Sequence, residues 1–133
     1  MWWGHKAQRM MRFSGLWWTL GVLWLAWVSY ASLMPAPPGA GLLPDKLQHI
    51  LVYASLGFWF GCLVRPNRHW HLVAVLALWG GALEVLQGMG GMRHAEGLDA
   101  LGNGCGALLG VAVTRTPCGQ LLYRMEQGLQ WLL

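Results

Sequence analysis

Residues 14–34 read SGLWWTLGVLWLAWVSYASLM, and none of these side chains carries a charge. The charge-free stretch runs on, from Arg12 all the way to Asp45. A helix over 14–34 rises ~1.5 Å per residue and so measures about 30 Å, the thickness of a bilayer's hydrocarbon core. The whole chain is of the same kind: 56% of its 133 residues are hydrophobic and 11% charged, against roughly a quarter charged in an ordinary soluble domain. The stretch therefore reads as a transmembrane helix and the protein as an integral membrane protein.

A cleaved signal peptide is the competing reading, since Lys6, Arg9 and Arg12 precede the run and small residues surround Tyr30-Ala31-Ser32. The apolar run is longer than the ~7–15 residues of a typical signal-peptide core, and three more follow, so a retained anchor is expected. Those runs span about 47–64, 70–90 and 98–114. They are separated by Arg65-Pro66-Asn67-Arg68 and the Gly-rich loop GMGGMRHAEG, and Arg115-Thr116-Pro117 closes the last. From about 118 to 132, Leu121, Leu122, Met125, Leu129 and Leu132 fall on one helical face. An interfacial amphipathic helix has this pattern, and so does a helix packed under the bundle. The expected fold is all-α and a single domain over 1–133: a membrane-spanning four-helix bundle with a C-terminal amphipathic helix.

The net charge of +4 does not point to nucleic acid, because the basic residues sit at the ends of apolar runs and form no single patch. Lys6, Arg9, Arg12, Arg65, Arg68, Arg115 and Arg124 make seven of the nine Lys and Arg residues, and they belong to one side of the four-span topology. Lys46 and Arg93 belong to the other. By the positive-inside rule both termini face the cytoplasm of an inner-membrane protein. The three cysteines give no disulfide framework, since Cys62 and Cys105 lie within apolar runs and Cys118 just after one. The ten tryptophans read mostly as lipid-facing or interfacial belt residues.

In that topology the chemistry-bearing residues collect at the outer side. Asp45, Lys46, His49 and Tyr53 open the second run, Glu84 and Gln87 lie in the outer third of the third, and Asp99 and Asn103 begin the fourth. At ~100° per residue, Asp45 and His49 are about 40° apart, with Tyr53 another 40° round. Asp99 and Asn103 share a face with Gly102, Gly106 and Gly110, a row of small residues that lets helices approach closely. These polar residues are therefore expected to line a cleft between helices. Glu84, roughly 6–10 Å below the outer boundary by helix rise, needs a partner, a proton or water, because a carboxylate in hydrocarbon costs several kcal/mol. Taken singly, the others have plainer readings. Asp45 and Lys46 suit a helix start, His49 and Tyr53 suit packing, Asp99 with Asn103 suits a cap and interhelical glue, and Arg93 with Glu96 suits a solvated loop. No Walker loop, CxxC pair or nucleophile elbow is present.

The ordered set DKLQHILVY (45–53), EVLQ (84–87), Arg93 and LDALGN (98–103) resembles the VanZ-like family of small membrane proteins, over about residues 44–110 plus a preceding span. The resemblance places family positions on Asp45, Lys46, His49, Tyr53, Glu84, Gln87, Arg93, Asp99 and Asn103. The chain departs from it at Glu96-Gly97-Leu98, where the family often carries Ser or Thr before the Asp, so a hydroxyl-dependent role loses its residue here. The resemblance implies a cell-envelope function, its namesake being associated with tolerance of a lipoglycopeptide antibiotic.

From the site itself, the leading reading is a pocket that binds or processes an envelope component, lipid-linked or peptidoglycan-related. His49, Glu84, Asp45 and Asp99 are the candidate catalytic groups, with His49 and a carboxylate as an acid–base couple. Lys46 and Arg93 would pair with phosphate or carboxylate, and Tyr53, Gln87 and Asn103 would contact the ligand. Membrane lipids are the expected surroundings, and no cofactor is assigned. The alternatives are a divalent-ion site on the i,i+4 pairs with Glu84, an ion relay, and a scaffold whose polar cluster is structural. The relay is disfavoured because the inner halves of the runs lack ionisable groups.

Overall fold

The computed structural model describes residues 11–35, 43–91 and 97–133. Within them the chain is all-helical: α1 Ser14–Leu33, α2 Asp45–Leu63, α3 His69–Met89, α4 Gly97–Val113 and α5 Leu121–Leu132, with short 3-10 turns at Pro66–Arg68 and Pro117–Gln120. Each of the first four begins and ends within two residues of its apolar run. Local chemistry sets these ends. Pro44 precedes α2, whose first turn carries Asp45, an acid placed where the helix dipole favours it. Arg65, before Pro66, is extended and stops the chain from continuing α2 into α3. Just past the end of α3, Gly91 takes φ 67, which a residue without a Cβ adopts at little cost.

Two helical segments among the described residues, Ser14–Leu33 of 20 residues and Pro66–Met89 of 24, are long and apolar enough to cross a membrane. A third candidate is Gly97–Val113 with Pro117–Leu132, a pair bent by 79°. Polar residues crowded into the first half of α2 keep that helix out of the set.

Packing runs up and down. Near one end, Trp59 of α2 donates to Trp17 O of α1 at 3.0 Å, and Gly61 of α2 faces Thr114, just past α4. At that same end, His69 Nε2 donates to the carbonyls of Gly61 and Val64 at 3.1 and 3.2 Å, tying the start of α3 to the last turn of α2. The tightest seam is α2 on α4. A Cβ at Gly106 would run into the carbonyl of Ile50, one at Gly110 into that of Ala54, and one at Gly57 into that of Ala107. Glycines from both helices thus bring the two backbones into contact, as the small-residue row at Gly102, Gly106 and Gly110 predicts.

α5 crosses under this end with one face packed. Leu122 and Glu126 are both about 1% exposed, while Trp131, Leu132 and Leu133 are open. Of the five residues that define the C-terminal pattern, Leu122 packs under the bundle and Leu129 is half-buried, whereas Leu121, Met125 and Leu132 are exposed, so the packed face is turned toward Glu126 and is not the apolar face expected from the sequence. The tryptophans depart from the belt expectation in four places. Trp17, Trp24, Trp59 and Trp79 each spend the indole N–H on another helix, the last on Ser29 Oγ at 2.9 Å. Trp27, Trp70 and Trp131 remain exposed as expected.

Candidate functional site: a polar cluster at one end of the bundle

At the end opposite α5, the start of α2, the last turns of α3 and the start of α4 meet. The α2–α4 glycine seam sets the rotation of both helices, so His49 on the second turn of α2 faces Asn103 on the second turn of α4. Asn103 Oδ1 lies 2.9 Å from His49 Nδ1. Glu84 of α3 reaches the same nitrogen, its Oε1 at 3.7 Å. Asp99, one turn before Asn103, completes a group in which one ligand atom each from His49, Glu84 and Asp99 lies within 4.8 Å of the others.

Burial grades across the cluster. Asn103 is 1% exposed and Glu84 7%, whereas His49 and Asp99 are half-buried. Behind them Gly80 leaves room that a side chain would take. A Cβ there would stand 2.6 Å from Asn103 Nδ2 and 2.9 Å from the Tyr53 hydroxyl. The missing side chain thus lets the amide nitrogen of Asn103 sit against α3, with its oxygen turned to His49. Gln87, also buried, donates from Nε2 to the Ser32 carbonyl in the last turn of α1. That bond closes the fourth side of the cluster.

A cleft of about 210 Å³ adjoins it between α1 and α2, lined by Trp24, Trp27, Val28, Ala31 and Ser32 on one wall and Gln48, His49, Val52 and Tyr53 on the other. His49 and Tyr53 therefore belong both to the cleft and to the cluster. The arrangement offers an imidazole that can exchange a proton with a carboxylate, beside a groove with an aromatic wall and a polar floor.

Of the residues singled out in the sequence, His49, Glu84, Asp99 and Asn103 are brought into contact range, with Tyr53 and Gln87 packed around them. Asp45 and Lys46 are exposed in the first turn of α2, and Asp45 is not part of the three-residue group. Arg93 and Glu96 lie outside the described residues. One buried carboxylate was not anticipated: Glu126 accepts from Trp17 Nε1 at 2.9 Å and from the backbone N–H of Arg12, at the far end of the bundle. Its signal in the sequence was its position, four residues after Leu122 and three before Leu129, on a face that packs. Comparisons with protein-family profiles, with curated proteins and with solved structures find no match.

Proposed function

We propose that the chain is a VanZ-like inner-membrane protein whose extracytoplasmic pocket binds or processes an anionic cell-envelope component, lipid-linked or peptidoglycan-related. The observation that carries this reading is the convergence of His49, Glu84, Asp99 and Asn103 beside the α1–α2 cleft. What supports the family is the ordered motif alone, from Asp45 to Asn103. In this reading α1 to α4 all cross the membrane. The 19 residues of α2 and 17 of α4 reach about 28 and 25 Å, and the polar start of α2 rests in the headgroup region. The distribution of Lys and Arg puts both termini in the cytoplasm and the cluster on the outer side.

The groove takes the apolar part of the ligand against Trp24, Trp27 and Val28. Its anionic group turns toward the start of α2, where Lys46 offers a charge, and Arg93 is assigned the same pairing role from the sequence. His49 then exchanges a proton with the ligand while Glu84 stabilises the imidazolium. The test is to replace Glu84 by Gln and His49 by Ala, verify equal amounts in the membrane, and score tolerance of a lipoglycopeptide antibiotic. Loss of tolerance is the expected outcome. Unchanged tolerance at full expression removes the reading, and a lowered thermal stability without a change in tolerance favours a scaffold whose polar cluster is structural.

A further inference from the structure

The polar cluster gathers atoms that bear lone pairs: a carboxylate oxygen from Glu84, another from Asp99, the Asn103 carboxamide oxygen and a ring nitrogen of His49. A proton on His49 Nδ1 serves the 2.9 Å contact with Asn103 Oδ1 and faces Glu84 Oε1 at 3.7 Å, with the Asp99 carboxylate inside the same 4.8 Å group. One divalent ion can serve every member of the set. From these distances and this chemistry we infer that His49, Glu84, Asp99 and Asn103 form a binding site for a divalent cation at the inner edge of the α1–α2 cleft.

The dimensions agree. Oxygen and nitrogen donors lie about 2.0–2.2 Å from manganese, magnesium or zinc, so opposite donors of one ion stand about 4.2 Å apart and adjacent donors about 3 Å. The His49–Asn103 separation of 2.9 Å suits adjacent donors, and donors at the 4.8 Å limit of the group close onto one ion by side-chain rotations of about an ångström. Three oxygen donors with one imidazole suit manganese or zinc and fall short of the six to eight oxygens that calcium takes. Three helices supply the donors. Gly80 gives the Asn103 amide the space to keep its oxygen forward, the kind of support that fixes ligand orientation in metal sites. Since His49 also lines the cleft, coordination positions left open by the protein face the groove, where a phosphate or carboxylate oxygen of the ligand can fill them.

This inference rests on the pocket reading above in its binding form and deepens it: with His49 and Glu84 engaged by the ion, the ion holds the ligand's anionic group in place of the His49 proton exchange. The full chain, purified in detergent and stripped with a chelator, is titrated with Mn²⁺, and free Mn²⁺ is read by electron paramagnetic resonance. One saturable site per chain is expected. Asp99→Asn and His49→Gln should each weaken it by about tenfold or more, while Cys105→Ser combined with Cys118→Ser should bind as the unaltered chain does. Absence of a saturable site up to on the order of 1 mM Mn²⁺, or wild-type binding by both variants, overturns the proposal. If His49→Gln does not yield folded protein, the near-isosteric Asp99→Asn decides alone. A chain that binds no Mn²⁺ yet loses tolerance on Glu84→Gln would keep its pocket and lose its ion. Mn²⁺ binding with unchanged tolerance would do the reverse.

Discussion

Glu126 is about 1% exposed, and its position shows how a single side chain can join the two ends of a chain. Its carboxylate accepts from Trp17 Nε1 and from the Arg12 backbone, so α5 is fastened to the start of α1. Replacing it by Ala leaves the buried Trp17 indole N–H without an acceptor, at a cost of about 1–3 kcal/mol. Thermal unfolding in detergent should register that loss, together with a change in Trp17 emission, and Glu126→Gln, which keeps one acceptor oxygen, should cost less. Equal stability of the Ala variant would mean that the bond to Trp17 is not made. At this scale the sequence was a partial guide. The helical period put His49 with Asp45 and Asp99 with Asn103, but Asp45 stays at the exposed first turn while Asp99 reaches His49 and Glu84. The difference comes from where each helix begins relative to its neighbours, which no single-helix argument contains. Glu126 was missed for a related reason, since its partners precede it by more than a hundred residues.

At the scale of elements, the pairing of α2 with α4 depends on glycine. A Cβ at Gly110 would meet the Ala54 carbonyl and the Phe58 amide, both backbone atoms that cannot swing aside, whereas one at Gly104 would touch only the Ala77 side chain at 3.8 Å. Gly→Ala gains up to about 1 kcal/mol in helix propensity, so Gly104→Ala should be neutral or mildly stabilising. Gly110→Ala should instead lose about 1–3 kcal/mol through overpacking. Melting curves of the two purified variants check the sign, and equal melting temperatures would mean that the α2 and α4 backbones are not in contact. The small-residue row was legible because its spacing is local to α4. The indole bonds from Trp24 to Ser55 and from Trp79 to Ser29 were not. A tryptophan on an apolar helix has the same local signature whether its N–H meets a headgroup or a serine on the next helix.

For the whole molecule the question is which end faces outward. In the proposed topology Leu98, exposed in the first turn of α4, lies outside, and Cys118, exposed in the turn before α5, lies inside. A membrane-impermeant maleimide applied to intact cells should label Leu98→Cys and reach Cys118 only after permeabilisation. Labelling in the opposite order would invert the orientation. Cys62 is buried in the fold, and Cys105 lies in the middle of α4, which the proposed topology sets within the bilayer and away from a membrane-impermeant reagent. The sequence by itself determined the helices and their limits, because a run of apolar residues must satisfy its own backbone as a helix wherever water is scarce, and Gly, Pro and charge mark where it stops. It also determined which polar residues sit near the ends of those helices. Only the tertiary structure decided which of them touch. Contact depends on the rotation and depth of each helix against its neighbours, set here by glycine backbones meeting across α2 and α4, and the distances between those helices are not written in the order of residues along either one.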